Sequence, residues 1–512
     1  MKTSTLLGVA TLLSSAHAYN NPILWNDLAD NDISRVDDTY YYSASSMHFS
    51  PGAPILRSKD LVNWEYIAHS VPSLDFGAKY NLTNAQGYNR GTWASFMRYH
   101  ASQDTWYWGG CIDFSKTYIY TAPDVTGKWS RRAVMNKCYY DSGLLIDNDD
   151  TMYVSYAADD AVWVAQLSSN GTSEVSSQQV YVPSEDIGYL EGTRMYKHDG
   201  RYYILTTRPS RGTHILMADE PFGNYTLKEL VLNVKLEGSD AGSIHQGSLV
   251  DTPDGDWYYM GFVDAYPGGR IPVLVPITWG DDGFPTAALV DGAVSASYGD
   301  PVAQVAVPAL TGTDTFKELG PRWEWNHNPD TSAYSVGDGL TLKTVTVTYG
   351  LYSARNTLTQ RTLGPDSTAT IELNYAGMAD GDRAGLAILR DQSAWVGVKK
   401  DSGKFSVNMV DDITMDASWN TNSTGTTVES ASISGGTVWL RVYADVMPGG
   451  SNTARFSYST DGTAFTGIGD DFTMGTSWQF FMGYRFGIFN YATTDLGGSV
   501  TVASFTLDAG EV

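Results

Sequence analysis

The chain has 512 residues, with 57 Asp and Glu against 33 Lys and Arg and a net charge of −24. So acidic a surface repels phosphate backbones and anionic headgroups, which excludes nucleic acid and membrane as expected partners. Cys111 and Cys138, the only cysteines, are too few for a disulfide framework or a thiolate metal cluster; a single bridge between them is left open.

The first eighteen residues, MKTSTLLGVATLLSSAHA, combine an early lysine, an apolar run from Leu6 to Leu13 and a small-x-small end at Ala16 and Ala18. They read as a secretory leader cut before Tyr19, with an apolar run too short to span a bilayer. The mature protein is therefore expected outside the cell, as a monomer. Sequons at Asn81, Asn170, Asn224 and Asn422 fit that route and imply a glycoprotein.

Aromatic residues at 13% and 51 glycines predict short strands joined by many turns. Five segments share one pattern, an apolar strand, an Asp/Gly-rich turn and an aromatic return strand. They start at Ile33, Phe96, Leu144, Arg194 and Ser248, at spacings of 63, 48, 50 and 54 residues. A second strand pair follows each. A repeat of that length holds a four-stranded sheet, and five of them predict a five-bladed β-propeller over residues 19–302. The repeat stops after Asp300. Residues 303–313 read as a linker, and alternating strands such as "STATIELNY" and "TVWLRVYADV" predict a C-terminal β-sandwich of jelly-roll type over residues 314–512. Its aromatics Trp323, Trp325, Tyr484 and Phe489 are expected in the core.

Three residues ahead of the five hairpins stand Asp30, Trp93, Asp141, Glu191 and His245. The first strand of every propeller blade lines the axis, so these five are expected to form one ring at a mouth of the channel. Crowded carboxylates cannot all ionise easily. Asp141 and Glu191, on adjacent blades, should push the glutamate's pKa up and make it a proton donor; Asp30, across the ring, is left as the general base. An acid and a base on opposite sides of a glycosidic bond are the machinery of glycoside hydrolysis. A gap of about 6.5–9.5 Å admits a water and gives inversion. Trp93 offers a flat face to a sugar, His245 could hold the base or order a water, and Arg270 could reach the ring. His48, Phe49 and Arg98 are expected in the pocket wall. No cofactor is required; the hard oxygens of the ring would suit a structural Ca²⁺, with His245 near it.

The segments "DISRVDDTYYYSAS", "SPGAPILRSKDLVNWE", "YYDSGLLIDNDDTMYVSY", "LEGTRMYKHDGRYYILTTRP" and "HQGSLVDTPDGDWYYMGF" resemble glycoside hydrolase family 43. The resemblance continues through "WEWNHNPDTSAY" and "GYRFGIFNYAT" in the tail. It implies an inverting five-bladed propeller with Asp30 as general base, Asp141 as pKa modulator and Glu191 as general acid. Asn31, Ser142 and Thr193 stand where many members have proline. The tail is similar to that of fungal arabinofuranosidases that remove α-1,3-linked L-arabinose from doubly substituted xylose units of arabinoxylan, which is the first expected activity. A β-xylosidase is the second. A carbohydrate-binding propeller without catalysis is the third, although it would be expected to have lost one of the three acids.

Overall fold

In the computed structural model, which describes residues 18–83 and 85–510, each of the five repeats forms a four-stranded antiparallel sheet whose strands neighbour one another in chain order. The inner strands are Asp32–Val36 of blade I, Ser95–His100 of blade II, Tyr140–Ile146 of blade III, Glu191–His198 of blade IV and His245–Asp251 of blade V. Each touches the inner strands of both neighbouring blades, so the ring is closed. The turn chemistry is local. In blade IV, Asp199 and Gly200 at φ 47° and 79° form the two-residue loop between His198 and Arg201, the geometry that matches the twist of a hairpin.

Blades stack face to face, which is why their strands are apolar on both sides. Phe96 and Ile119 of blade II meet Leu144 and Val154 of blade III, whereas Val162 and Val164 of blade III meet Met195, Ile204 and Leu216 of blade IV. Each such side chain contributes about 1.5–3 kcal/mol on burial. The chain start is stitched to the end of the propeller: Ala18–Asn20 pairs with Ser297–Gly299, and Tyr19 Oη donates to the Leu274 carbonyl at 3.0 Å. Apart from Ala18, the expected leader lies outside the described residues.

The C-terminal part is a sandwich of a nine-stranded and an eight-stranded sheet. Ile371, Leu440 and Phe505 of the first pack on Leu386, Val396 and Ile488 of the second. Trp323, Trp325, Tyr484 and Phe489 are buried there. The first sandwich strand, Gly312–Asp314, already pairs with the last, Ser499–Ala509, so ordered sheet begins inside the expected linker. Cys111 and Cys138 are bridged, with Cα atoms 5.0 Å apart.

Propeller and sandwich share a sheet edge. Phe49–Ser50, from blade I's connecting loop, pairs with Glu324–Asn326 at the border of the eight-stranded sheet. Behind that edge, fully buried Glu324 takes Arg361 at 3.2 Å, Arg485, and His69 of blade I at 3.0 Å. Asp27 accepts from the backbone N–H groups of Arg270 in blade V and Gly483 in the sandwich, at 2.8 and 3.0 Å.

Candidate active site

Where the inner strands begin, blades III, IV and V each carry a β-bulge. Pairing jumps from Tyr140 to Gly143, from Glu191 to Arg194 and from His245 to Ser248, while the partner strand advances two residues. The extra residue adopts the left-handed conformation: Asp141 at φ 48°, Gly192 at 63° and Gln246 at 36°; Asp30, two residues before the blade I strand, sits at 58°. This corrects the expected ring of five equivalent positions. Asp30, Trp93 and Asp141 share one position, whereas Glu191 and His245 stand one residue earlier, level with Tyr140. A bulge re-aims a side chain, so both positions face the mouth. Glycine follows Glu191 for two reasons: its positive φ, and the Gln246 side chain 2.9 Å from where a Cβ would lie.

Asp30, Trp93, Asp141, Glu191 and Arg270 line one cavity of about 440 Å³. Arg270, at the start of the third strand of blade V, donates from Nη1 to Asp30 Oδ1 at 2.8 Å, and Ser45 Oγ donates to the other Asp30 oxygen at 2.5 Å. These bonds hold the carboxylate in one orientation. Tyr140 Oη donates to Glu191 Oε2 at 3.0 Å.

The carboxyls are electrostatically unequal. Burial pushes Glu191 up to about 7; the Tyr140 hydrogen bond opposes this and the Asp30 charge adds to it. Asp141 is raised well above the carboxylate range by burial, then by the charges of Glu191 and Asp30, with Arg194 and Arg270 pulling it back. The two are linked, since the Glu191 charge is the largest of those that raise Asp141.

His245 lines a side lobe of about 290 Å³ that shares Glu191 and Arg270 with the main cavity. Its Nδ1 faces the Ser243 carbonyl at 2.9 Å, and its Nε2 lies 3.9 Å from Asp264. Among the described residues no group of three or more His, Cys, Asp or Glu side chains gathers as metal ligands.

The pocket-wall expectation for His48, Phe49 and Arg98 is corrected. His48 is buried at the seam with the sandwich, its ring 4.8 Å from that of His327, and Phe49 lies under the Arg485 guanidinium, 3.4 Å from its ring centre. Their loop is spent on the shared sheet edge. Arg98 is five residues past Trp93, about 16 Å down a strand. There it pairs with Asp32 at 2.6 Å and lines a separate cavity at the opposite mouth.

Sequence reasoning missed most of the aromatic wall. Phe114, Tyr140 and Tyr189 come from the propeller, and Trp419, Trp478 and Phe481 from the sandwich. The Phe481 carbonyl accepts from Arg270 Nε at 3.0 Å, and its ring packs 5.0 Å from that of Trp93. The letters carried one signal, Tyr140 directly before Asp141; nothing local ties residues 419–481 to a pocket in the propeller.

Three carboxyls delivered by three blades to one cavity, one of them fixed by a guanidinium and one raised by burial to about 7, define a glycoside hydrolase. The chain belongs to glycosyl hydrolases family 43, whose model matches residues 19–285, and residues 313–508 match the beta xylosidase C-terminal concanavalin A-like domain. A beta-xylosidase from Formosa agariphila is 29% identical over 96% of this chain and 90% of its own. A non-reducing end alpha-L-arabinofuranosidase from Bacteroides ovatus is 24% identical over 75% of this chain and 76% of its own. Among solved structures, a family 43 enzyme described as engineered to display both endo-xylanase and exo-arabinofuranosidase activity superposes with a TM-score of 0.93. It is 42% identical and covers 96% of this chain and all of that one.

Proposed function

We propose that the protein releases α-1,3-linked L-arabinofuranose from doubly substituted xylose units of arabinoxylan. Glu191 protonates the leaving oxygen, Asp30 activates a water, and Asp141, on the neighbouring blade, is the pKa modulator, with burial the largest cause that raises Glu191. The observation that carries the hydrolytic part is the asymmetry within one cavity: Asp30 is clamped by Arg270 and Ser45, whereas burial lifts Glu191 to about 7. A fixed, hydrogen-bonded carboxylate suits a base, and a desolvated one suits an acid. A cavity of about 440 Å³, walled by both propeller and sandwich, favours exo-acting removal of a single pentose. The preference for arabinose rests on the 42% identity over the whole chain with the enzyme of that description.

A β-xylosidase is the second reading, favoured by the Formosa agariphila relative and by the description of the tail domain. Chromatography of sugars released from singly and doubly arabinosylated xylo-oligosaccharides separates the two. Free arabinose from the doubly substituted oligomers supports the first; free xylose from linear oligomers with no arabinose reverses the order. Proton NMR of the first-formed pentose is expected to show the inverted anomer. The leader read in residues 1–18 supports a secreted enzyme acting outside the cell.

A further inference from the structure

Beneath the cavity lies Arg194, fully buried and three residues after Glu191, across the blade IV bulge. Its guanidinium reaches three blades. Nη2 donates to the Asp30 carbonyl at 2.8 Å and Nε to the Asn31 carbonyl at 3.1 Å, both in blade I. Nη1 donates to the carbonyl of Ser142 in blade III at 2.8 Å and to that of Thr193 in blade IV at 2.9 Å. These carbonyls belong to Asp30 and the residue after it, to the residue after Asp141 and to the second residue after Glu191.

We propose that Arg194 is the positioning residue of the hydrolytic site, a single rigid fork that sets the three acid-bearing segments relative to one another. This rests on the roles proposed above. Four buried carbonyls converge on one planar group with five N–H donors, and no other side chain type satisfies that arrangement. The approach of blades III and IV is equally tight: a Cβ on Gly143 would lie 2.5 Å from the Arg194 Cα. Thr193 Oγ1 closes the link by donating to the Asp141 carbonyl at 3.0 Å. Asp32, fully buried below, places Oδ1 3.5 Å from Arg194 Nε and gives its other oxygen to Arg98. The charged groups around Arg194 are thus Asp30 and Asp32 of blade I, Arg98 of blade II, Asp141 of blade III, Glu191 of blade IV and Arg270 of blade V. A displacement of about 1 Å at such a site costs on the order of 10²-fold in rate.

The test compares the full chain with Arg194→Met and Arg194→Lys on 4-nitrophenyl α-L-arabinofuranoside and β-D-xylopyranoside, recording kcat, KM, the pH profile and the thermal midpoint. R194M is expected to lose about 10²-fold in kcat with KM nearly unchanged, and both limbs of its pH profile are expected to move upward as a positive charge leaves the carboxyls. R194K, which keeps the charge without the fork, is expected to restore the limbs but only part of kcat. A side chain that merely fills space beneath the cavity would lower the thermal midpoint and leave kcat and both limbs as they are; that result overturns the proposal. If R194M does not fold, R194K decides: full kcat overturns the proposal, reduced kcat with unmoved limbs supports it. A wild type that releases neither pentose from the arabinosylated and linear xylo-oligosaccharides overturns the functional reading instead.

Discussion

Glu191 shows how one residue trades stability for chemistry. A carboxyl whose pKa rises on folding, here from an ordinary 4.5 to about 7, binds its proton more tightly in the native state. Native stability therefore falls as pH rises across that window, and the deficit is constant above it. Glu191→Gln is expected to abolish hydrolysis while raising the melting temperature at pH 8, with the gain disappearing by pH 4; equal melting temperatures at both pH values would contradict the shift. Tyr140→Phe acts on the same group. The Tyr140 hydrogen bond lowers the Glu191 pKa, so its removal is expected to move the alkaline limb of kcat/KM to higher pH without loss of fold.

At the scale of elements, the inner-strand bulge and the segment leading into it carry the site. Cys138 bridges to Cys111 in the second strand of blade II and stands two residues before Tyr140. The bridge thus anchors the approach to the blade III bulge. Closing a loop of 27 residues is worth about 3.5 kcal/mol in chain entropy. The double variant C111A/C138A is expected to lose about that much in urea unfolding, with kcat less affected than stability. The repeat, its period and the mouth-facing acids were legible because each hairpin writes its own strand–turn–strand pattern. The relative position of Asp141 was not. Counting three residues back from each hairpin treats all blades alike, but a bulge adds a residue without marking it in the letters, which placed Asp141 level with Glu191 when it stands level with Gly192.

For the whole molecule, the sandwich is part of the active site. It supplies Trp419, Trp478 and Phe481 to the cavity, and Phe481 holds Arg270 through its carbonyl. Phe481→Ala is expected to lower kcat/KM roughly fivefold, the equivalent of about 1 kcal/mol for an aromatic contact, with the backbone bond to Arg270 retained. Glu324 fixes the two parts together. Burial would raise its pKa, but Arg361, Arg485 and His69 hold it well below the carboxylate range. That contribution is present above the ordinary carboxylate pKa and fades as pH falls below it. Glu324→Ala leaves two buried guanidinium groups without their partner and is expected to cost about 3–5 kcal/mol at neutral pH, read from denaturant midpoints.

Local letters determined the strands, the turns, the five-fold repeat, the change of pattern after Asp300 and the acids at the blade entrances, because backbone pairing and turn chemistry depend on neighbours in sequence. Only the tertiary structure decided that Arg194 lies beneath the cavity, that His48 and Phe49 serve the seam and not the pocket, and that half of the aromatic wall comes from residues more than 200 positions away. Those outcomes follow from which surfaces meet when propeller and sandwich pack. Such meetings are fixed by burial and hydrogen bonding across the whole chain, so no short stretch of sequence contains them.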